Sequence, residues 1–111
     1  MLLPNAEMAF IDDRKLIDYC LSEYHPIGKH KARVFMSASG FSLENLQDLK
    51  DGILSEILDK DATQTEINQY GTLYVVDVKI KNPPKEATVR TSWIIKIAED
   101  FPRLTSCYVI I

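Results

Sequence analysis

Cysteine is nearly absent from this chain. Cys20 and Cys107 are the only two among 111 residues, and they form no CxxC or Cys/His spacing. No metal site is therefore expected, and both thiols read as reduced core residues. No apolar run approaches the ~20 residues that a bilayer span requires. Met1-Leu2-Leu3-Pro4 lacks the charged region and long apolar stretch of a signal peptide. The expected location is the cytoplasm, with no membrane partner. GxGxxG, a Walker loop, HExxH and GxSxG are all missing, which disfavours dinucleotide, nucleoside-triphosphate, zinc-protease and hydrolase chemistry. No repeat and no low-complexity tract interrupts the chain, so residues 1–111 read as one domain that needs no cofactor.

One further absence is local. The chain is acidic overall, with 16 Asp and Glu against 13 Lys and Arg and a net charge of −3. Yet Tyr24 to Ser42 contains no acidic residue at all. The same window holds Lys29, Lys31, Arg33 and both histidines, His25 and His30. The global balance argues against indiscriminate nucleic-acid binding, whereas a local basic cleft suits an anionic partner.

What is present reads as two halves. Asp12 is placed to cap a helix, with Ile11 and Leu16 as a hydrophobic staple. That helix carries Leu16, Ile17, Cys20 and Leu21 at helical spacing and ends at Tyr24-His25-Pro26. A second helix starts near Pro26 or Gly28 and stops at Gly40. Ser42 caps a third, whose apolar stripe is Leu46, Leu49, Ile53, Ile57 and Leu58. A short edge strand falls around Thr63–Glu66. Beyond it the period changes from helical to alternating. Thr72–Lys81 sets Tyr74, Val76, Val78 and Ile80 against Leu73, Val75, Asp77 and Lys79. Thr88–Ile97 sets Val89, Thr91, Trp93, Ile95 and Ile97 against Thr88, Arg90, Ser92, Ile94 and Lys96, and Arg103–Ile111 closes the chain. The fold class is therefore α+β: two to three N-terminal helices packed on one face of a three- to four-stranded antiparallel sheet. The other face would carry cations and hydroxyls from neighbouring strands, a floor suited to anions.

Histidine titrates near neutrality, so His30 is the first candidate for acid–base work. Metal-free RNA cleavage through the 2′-hydroxyl needs such a group, with Arg or Lys to neutralise the phosphorane. The plain alternative for His30 is a polar residue on a basic helix. His25, beside Pro26, reads first as a turn residue and second as a substrate contact. Lys29, Lys31 and Arg33 cannot all point one way on a helix, so one or two face a ligand while the rest are solvated. Arg90 and Arg103 are held by strands, and ion pairs with Asp77, Glu99 or Asp100 compete with ligand contacts. Thr91 and Thr105 suit phosphate, although β-propensity alone accounts for threonine there. Trp93 falls with the apolar set, and Tyr70-Gly71 reads as the turn into the first long strand.

Five segments together resemble a bacterial family described as a domain of unknown function. They are Leu3-Pro4-Asn5-Ala6-Glu7, His25 through Phe35, Tyr70-Gly71, Val89-Arg90-Thr91-Ser92-Trp93-Ile94 and Pro102-Arg103-Leu104-Thr105-Ser106. Met8 departs from the polar residue expected at its position. The same domain is found at the C-terminal ends of larger toxin-like or phage-associated proteins. The layout is also similar, more weakly, to the barnase–EndoU–colicin–RelE class of metal-independent RNase toxins, which are commonly encoded with a cognate inhibitor. That second resemblance implies an endoribonuclease toxin with RNA as substrate and a small antitoxin protein as partner. His30 would be its acid/base residue; Lys29, Lys31, Arg33, Arg90 and Arg103 would hold and neutralise phosphate; Thr91 or Thr105 would orient it. The competing reading is a non-catalytic module that docks a small acidic protein through its basic helix.

Overall fold

The alternating runs become strands, and their pairing leaves little freedom in register. The computed structural model describes residues 1–16 and 45–110. Among these, β1 (Ala62–Asn68), β2 (Gly71–Asn82), β3 (Lys85–Lys96) and β4 (Arg103–Ile110) form an antiparallel sheet in the order β1-β2-β3-β4. A one-residue slip would move every apolar side chain to the wrong face. The observed register keeps Tyr74, Val76, Val78 and Ile80 of β2 with Val89, Thr91 and Trp93 of β3 on the buried face. Leu104 and Cys107 continue that face on β4. Ile97, expected with this set, lies past the end of β3 with its N–H donating to Tyr70 O at 3.2 Å, and its side chain is 73% exposed.

Two helical segments are described. Asp12 caps α1 (Asp13–Lys15), its carboxylate accepting from the Arg14 backbone N–H at 3.0 Å. Ile11 and Leu16 are both buried, as a staple across that cap requires. The later part of this first expected helix, and the whole helix expected from Pro26 to Gly40, lie outside the described residues. α2 (Leu46–Glu56) packs on β2 and buries Leu49 and Ile53, with Ile57 just beyond its end. Leu58 does not share the stripe; the helix has ended before it and its side chain stays half exposed. The α+β class and the antiparallel sheet thus stand. Among the described residues the helix seen on the sheet is the third of those expected, the mid-chain one that leads into β1. Among the described residues no helix is long and apolar enough to cross a membrane.

The first ten residues contain a 3-10 turn over Ala6–Met8, entered through Asn5 in the left-handed region at φ 53°. They run between the two sheet edges. Leu2 bridges to Asp61 before β1, and Phe10 bridges to Arg103 at the start of β4. Leu3, Ala6 and Ile11 are buried along this path.

Tyr70-Gly71 makes the turn into β2 as expected. The Asn68 side-chain oxygen accepts from the N–H groups of Tyr70 at 2.8 Å and Gly71 at 3.3 Å. Gly71 has φ 156°, and an added Cβ would lie 2.9 Å from both Ile95 C and Lys96 Cα, and closer still to Ile95 O. Backbone atoms of a central strand cannot give way as a side chain would. Gly71→Ala is therefore expected to destabilise the domain by more than about 1 kcal/mol, read as a lower urea midpoint at unchanged slope. A midpoint equal to wild type would show that the hairpin adapts.

Candidate functional site

The face opposite the core carries a row of polar side chains one strand apart. Asp77 on β2 is the register partner of Arg90 on β3, and Arg90 is the register partner of Tyr108 on β4. Directly opposed residues in an antiparallel pair point to the same side, so this row is fixed by register alone. Arg90 Nε donates to Asp77 Oδ1 at 2.9 Å and Nη2 donates to Oδ2 at 3.0 Å. On its other side the guanidinium is hydrogen-bonded with the Tyr108 hydroxyl, and these two partners raise the Arg90 pKa above its already high ordinary value. Both members of the ion pair keep 41% of their side-chain surface in solvent. An exposed pair of this kind adds little to stability.

Beside this row lies an open cavity of about 490 Å³. Lys60, Asp61, Thr63 and Thr65 line it from β1 and its approach, Val75 and Asp77 from β2, and Arg90 from β3. Thr63 pairs with Val75, and Val75 with Ser92, so a band of small and hydroxylated side chains adjoins the ionised row. Lys60 is held only loosely, 3.7 Å from Glu56 and 3.8 Å from Asp59. The cavity therefore offers two cations, two carboxylates and two hydroxyls around a small apolar floor.

Arg103 lies apart from this cluster. It sits opposite Ile94, four residues along β3 from Arg90, or about 13 Å at the usual strand rise. Its guanidinium binds Glu99 through two N–H groups at 2.8 and 2.7 Å and stacks over Phe10 and Phe101, 5.3 and 4.8 Å from their centroids. The hydrogen bonds from Arg103 hold the Glu99 carboxyl below its ordinary range. These contacts fasten the N-terminal segment and the β3–β4 connection to the start of β4, which is structural work.

The two candidate threonines are also engaged. Thr91 faces the core with no solvent exposure; its hydroxyl donates to Val76 O at 2.7 Å and accepts from Trp93 Nε1 at 2.8 Å. It lies on the face opposite Arg90. Thr105 sits at the irregularity in the β3–β4 ladder, and its hydroxyl donates to Ser92 O at 3.1 Å. Of the residues singled out from sequence, then, Arg90 alone among Arg90, Thr91, Arg103 and Thr105 lines the cavity. His25, Lys29, His30, Lys31 and Arg33 lie outside the described residues. Asp77 and Tyr108 were not chosen as site residues. Alternation placed Asp77 on the polar face, but only the strand register brings it against Arg90.

The family model of a domain of unknown function (DUF6883) matches residues 2–111. The chain belongs to that family. Searches of curated proteins and of solved structures give no match. The match spans all four strands of this DUF6883 domain, together with α1 and α2.

Proposed function

We propose that this domain is a metal-independent endoribonuclease of the toxin type, cleaving RNA through its own 2′-hydroxyl. The observation that carries the reading is the solvent-open arginine Arg90, set between a carboxylate and a phenol beside a hydroxyl-lined cavity. Two of its five N–H donors face Asp77. The remaining donors leave room for a phosphate without breaking that pair. Anion stabilisation by a fixed arginine is the largest requirement of a metal-free phosphodiester cleavage. In this reading Arg90 takes the scissile phosphate, and Lys29, Lys31 and Arg33 take its neighbours. His30 supplies the proton for the leaving 5′ oxygen. The exposed face of the sheet, which carries Arg90, is the one left to RNA. The weaker resemblance to RNase toxins adds the remaining element, a small cognate inhibitor protein.

Expression of wild type beside His30→Ala tests the reading. Wild type is expected to arrest growth and fragment total RNA into products with 2′,3′-cyclic phosphate ends, in EDTA as well as in magnesium. His30→Ala, purified and folded, is expected to lose at least about 100-fold of that activity. Intact RNA and normal growth with wild type would overturn the proposal. In that event the docking of an acidic protein through Lys29 and Arg33 becomes the reading to pursue.

A further inference from the structure

Cleavage by a 2′-hydroxyl needs two proton transfers, and the proposed function assigns only one of them. We infer that Asp77 is the missing general base, that Arg90 bridges it to the scissile phosphate, and that Tyr108 positions Arg90; this rests on the RNA-cleaving reading above.

Three observations carry it. First, among the described residues Asp77 is the carboxylate in contact with the cavity-lining arginine, at 2.9 and 3.0 Å. A base must lie within hydrogen-bond reach of the proton it takes. A phosphate held on the remaining guanidinium donors places its ribose beside that carboxylate. Second, Asp77 lines the cavity itself, so a ribose seated there meets its oxygens directly. Third, Tyr108 is the register partner of Arg90 on β4, so it flanks the guanidinium on the side away from Asp77. A guanidinium gripped on two sides is pre-organised, and groups that need no rearrangement stabilise developing charge best.

The step balances without a metal. The Asp77 carboxylate takes the proton of the ribose 2′-hydroxyl. The 2′ oxygen forms its bond to phosphorus as the bond from phosphorus to the 5′ oxygen breaks. The leaving oxygen takes the proton that the proposed reading assigns to the His30 imidazolium. The products are a 2′,3′-cyclic phosphate and a 5′-hydroxyl end, and Asp77 returns its proton to solvent. Arg90 stays charged throughout.

The groups facing Asp77 are Arg90 from β3 and Lys60 and Asp61 from the approach to β1, with Tyr108 behind Arg90. The test is single-turnover cleavage of an RNA oligonucleotide by the full chain, followed against pH. Asp77→Asn is expected to reduce the rate by about 100-fold with little change in KM, and to abolish the fall in rate on the acid side. Tyr108→Phe is expected to reduce the rate by about tenfold while that acid limb persists. Asp77→Ala, with its thermal melt as a check on folding, is expected to regain activity when formate is added, since a small carboxylate can replace a base but not a structural ion pair. Asp77→Asn within threefold of wild type, or an Asp77→Ala protein that formate leaves inactive, would overturn the assignment while the RNA-cleaving reading stands. A wild type inert towards RNA would remove both.

Discussion

Arg90→Ala is expected to lower RNA cleavage by about 1000-fold with the fold intact. The fold survives because the side chain lies on the solvent face and its ion pair with Asp77 is 41% exposed on both sides. Removing it leaves Asp77 in water rather than in the core. The activity is lost because one planar group does two things at once: two N–H groups hold the carboxylate at 2.9 and 3.0 Å, and the donors shared with neither Asp77 nor Tyr108 remain for phosphate. A lysine cannot replace it. An ammonium is a point donor on a flexible stem and presents no second edge in a fixed plane. Arg90→Lys is accordingly expected to recover less than a tenth of wild-type activity. The loss should appear mainly in kcat, since the charge neutralised by Arg90 grows as the phosphorane forms. Combined with Asp77→Asn, the two losses should be strongly sub-additive, because they disable one unit. Arg90→Ala retaining more than a third of wild-type turnover would show that the row is only a cross-strand ion pair.

The sheet was legible because alternation is a direct consequence of strand geometry. Tyr74, Val76, Val78 and Ile80 had to share a face, and they are buried together. β1 was underestimated for a physical reason. Five of its seven residues, Thr63 to Ile67, are exposed, so no alternation in hydropathy marks its full length from Ala62 to Asn68. An ion pair with Asp77 was one of the alternatives open to Arg90, and the register between β2 and β3 decides it. That register follows from the two-residue Pro83-Pro84 connection, with Asn82 opposite Lys85. Counting inward from this pair puts Asp77 against Arg90 without further information, so the short turn was the unused signal. For Arg103 the pair with Glu99 was likewise one of the alternatives that the sequence offered. Its partners Glu99 and Phe101 are close in sequence, and the fold adds only Phe10, brought to it by the N-terminal segment.

Thr91 shows most clearly how a polar residue in a strand is decided by the face it occupies. As a site residue it would need an exposed hydroxyl. Instead the hydroxyl is spent wholly inside the core, donating to Val76 O and accepting from the Trp93 indole. The indole N–H is itself buried and has no water to turn to. Trp93 is fully buried between Tyr74 and Leu104 on the two adjacent strands.

Trp93→Ala is therefore expected to cost about 3–5 kcal/mol, a large share of the roughly 5–15 kcal/mol that holds a domain of this size. The cavity left behind opens in a sheet whose neighbours are tied by ladder hydrogen bonds and cannot close over it. Thr91→Val keeps the volume and removes the oxygen. It is expected to cost about 1–3 kcal/mol, chiefly because the Trp93 N–H is left buried without an acceptor. Trp93→Phe in the Thr91→Val background should then cost less than it does in wild type, since the orphaned donor is removed along with the indole. Urea unfolding of the four proteins measures this cycle. A coupling indistinguishable from zero would mean that the hydrogen bond between Trp93 and Thr91 contributes nothing, and that volume alone keeps tryptophan in this sheet.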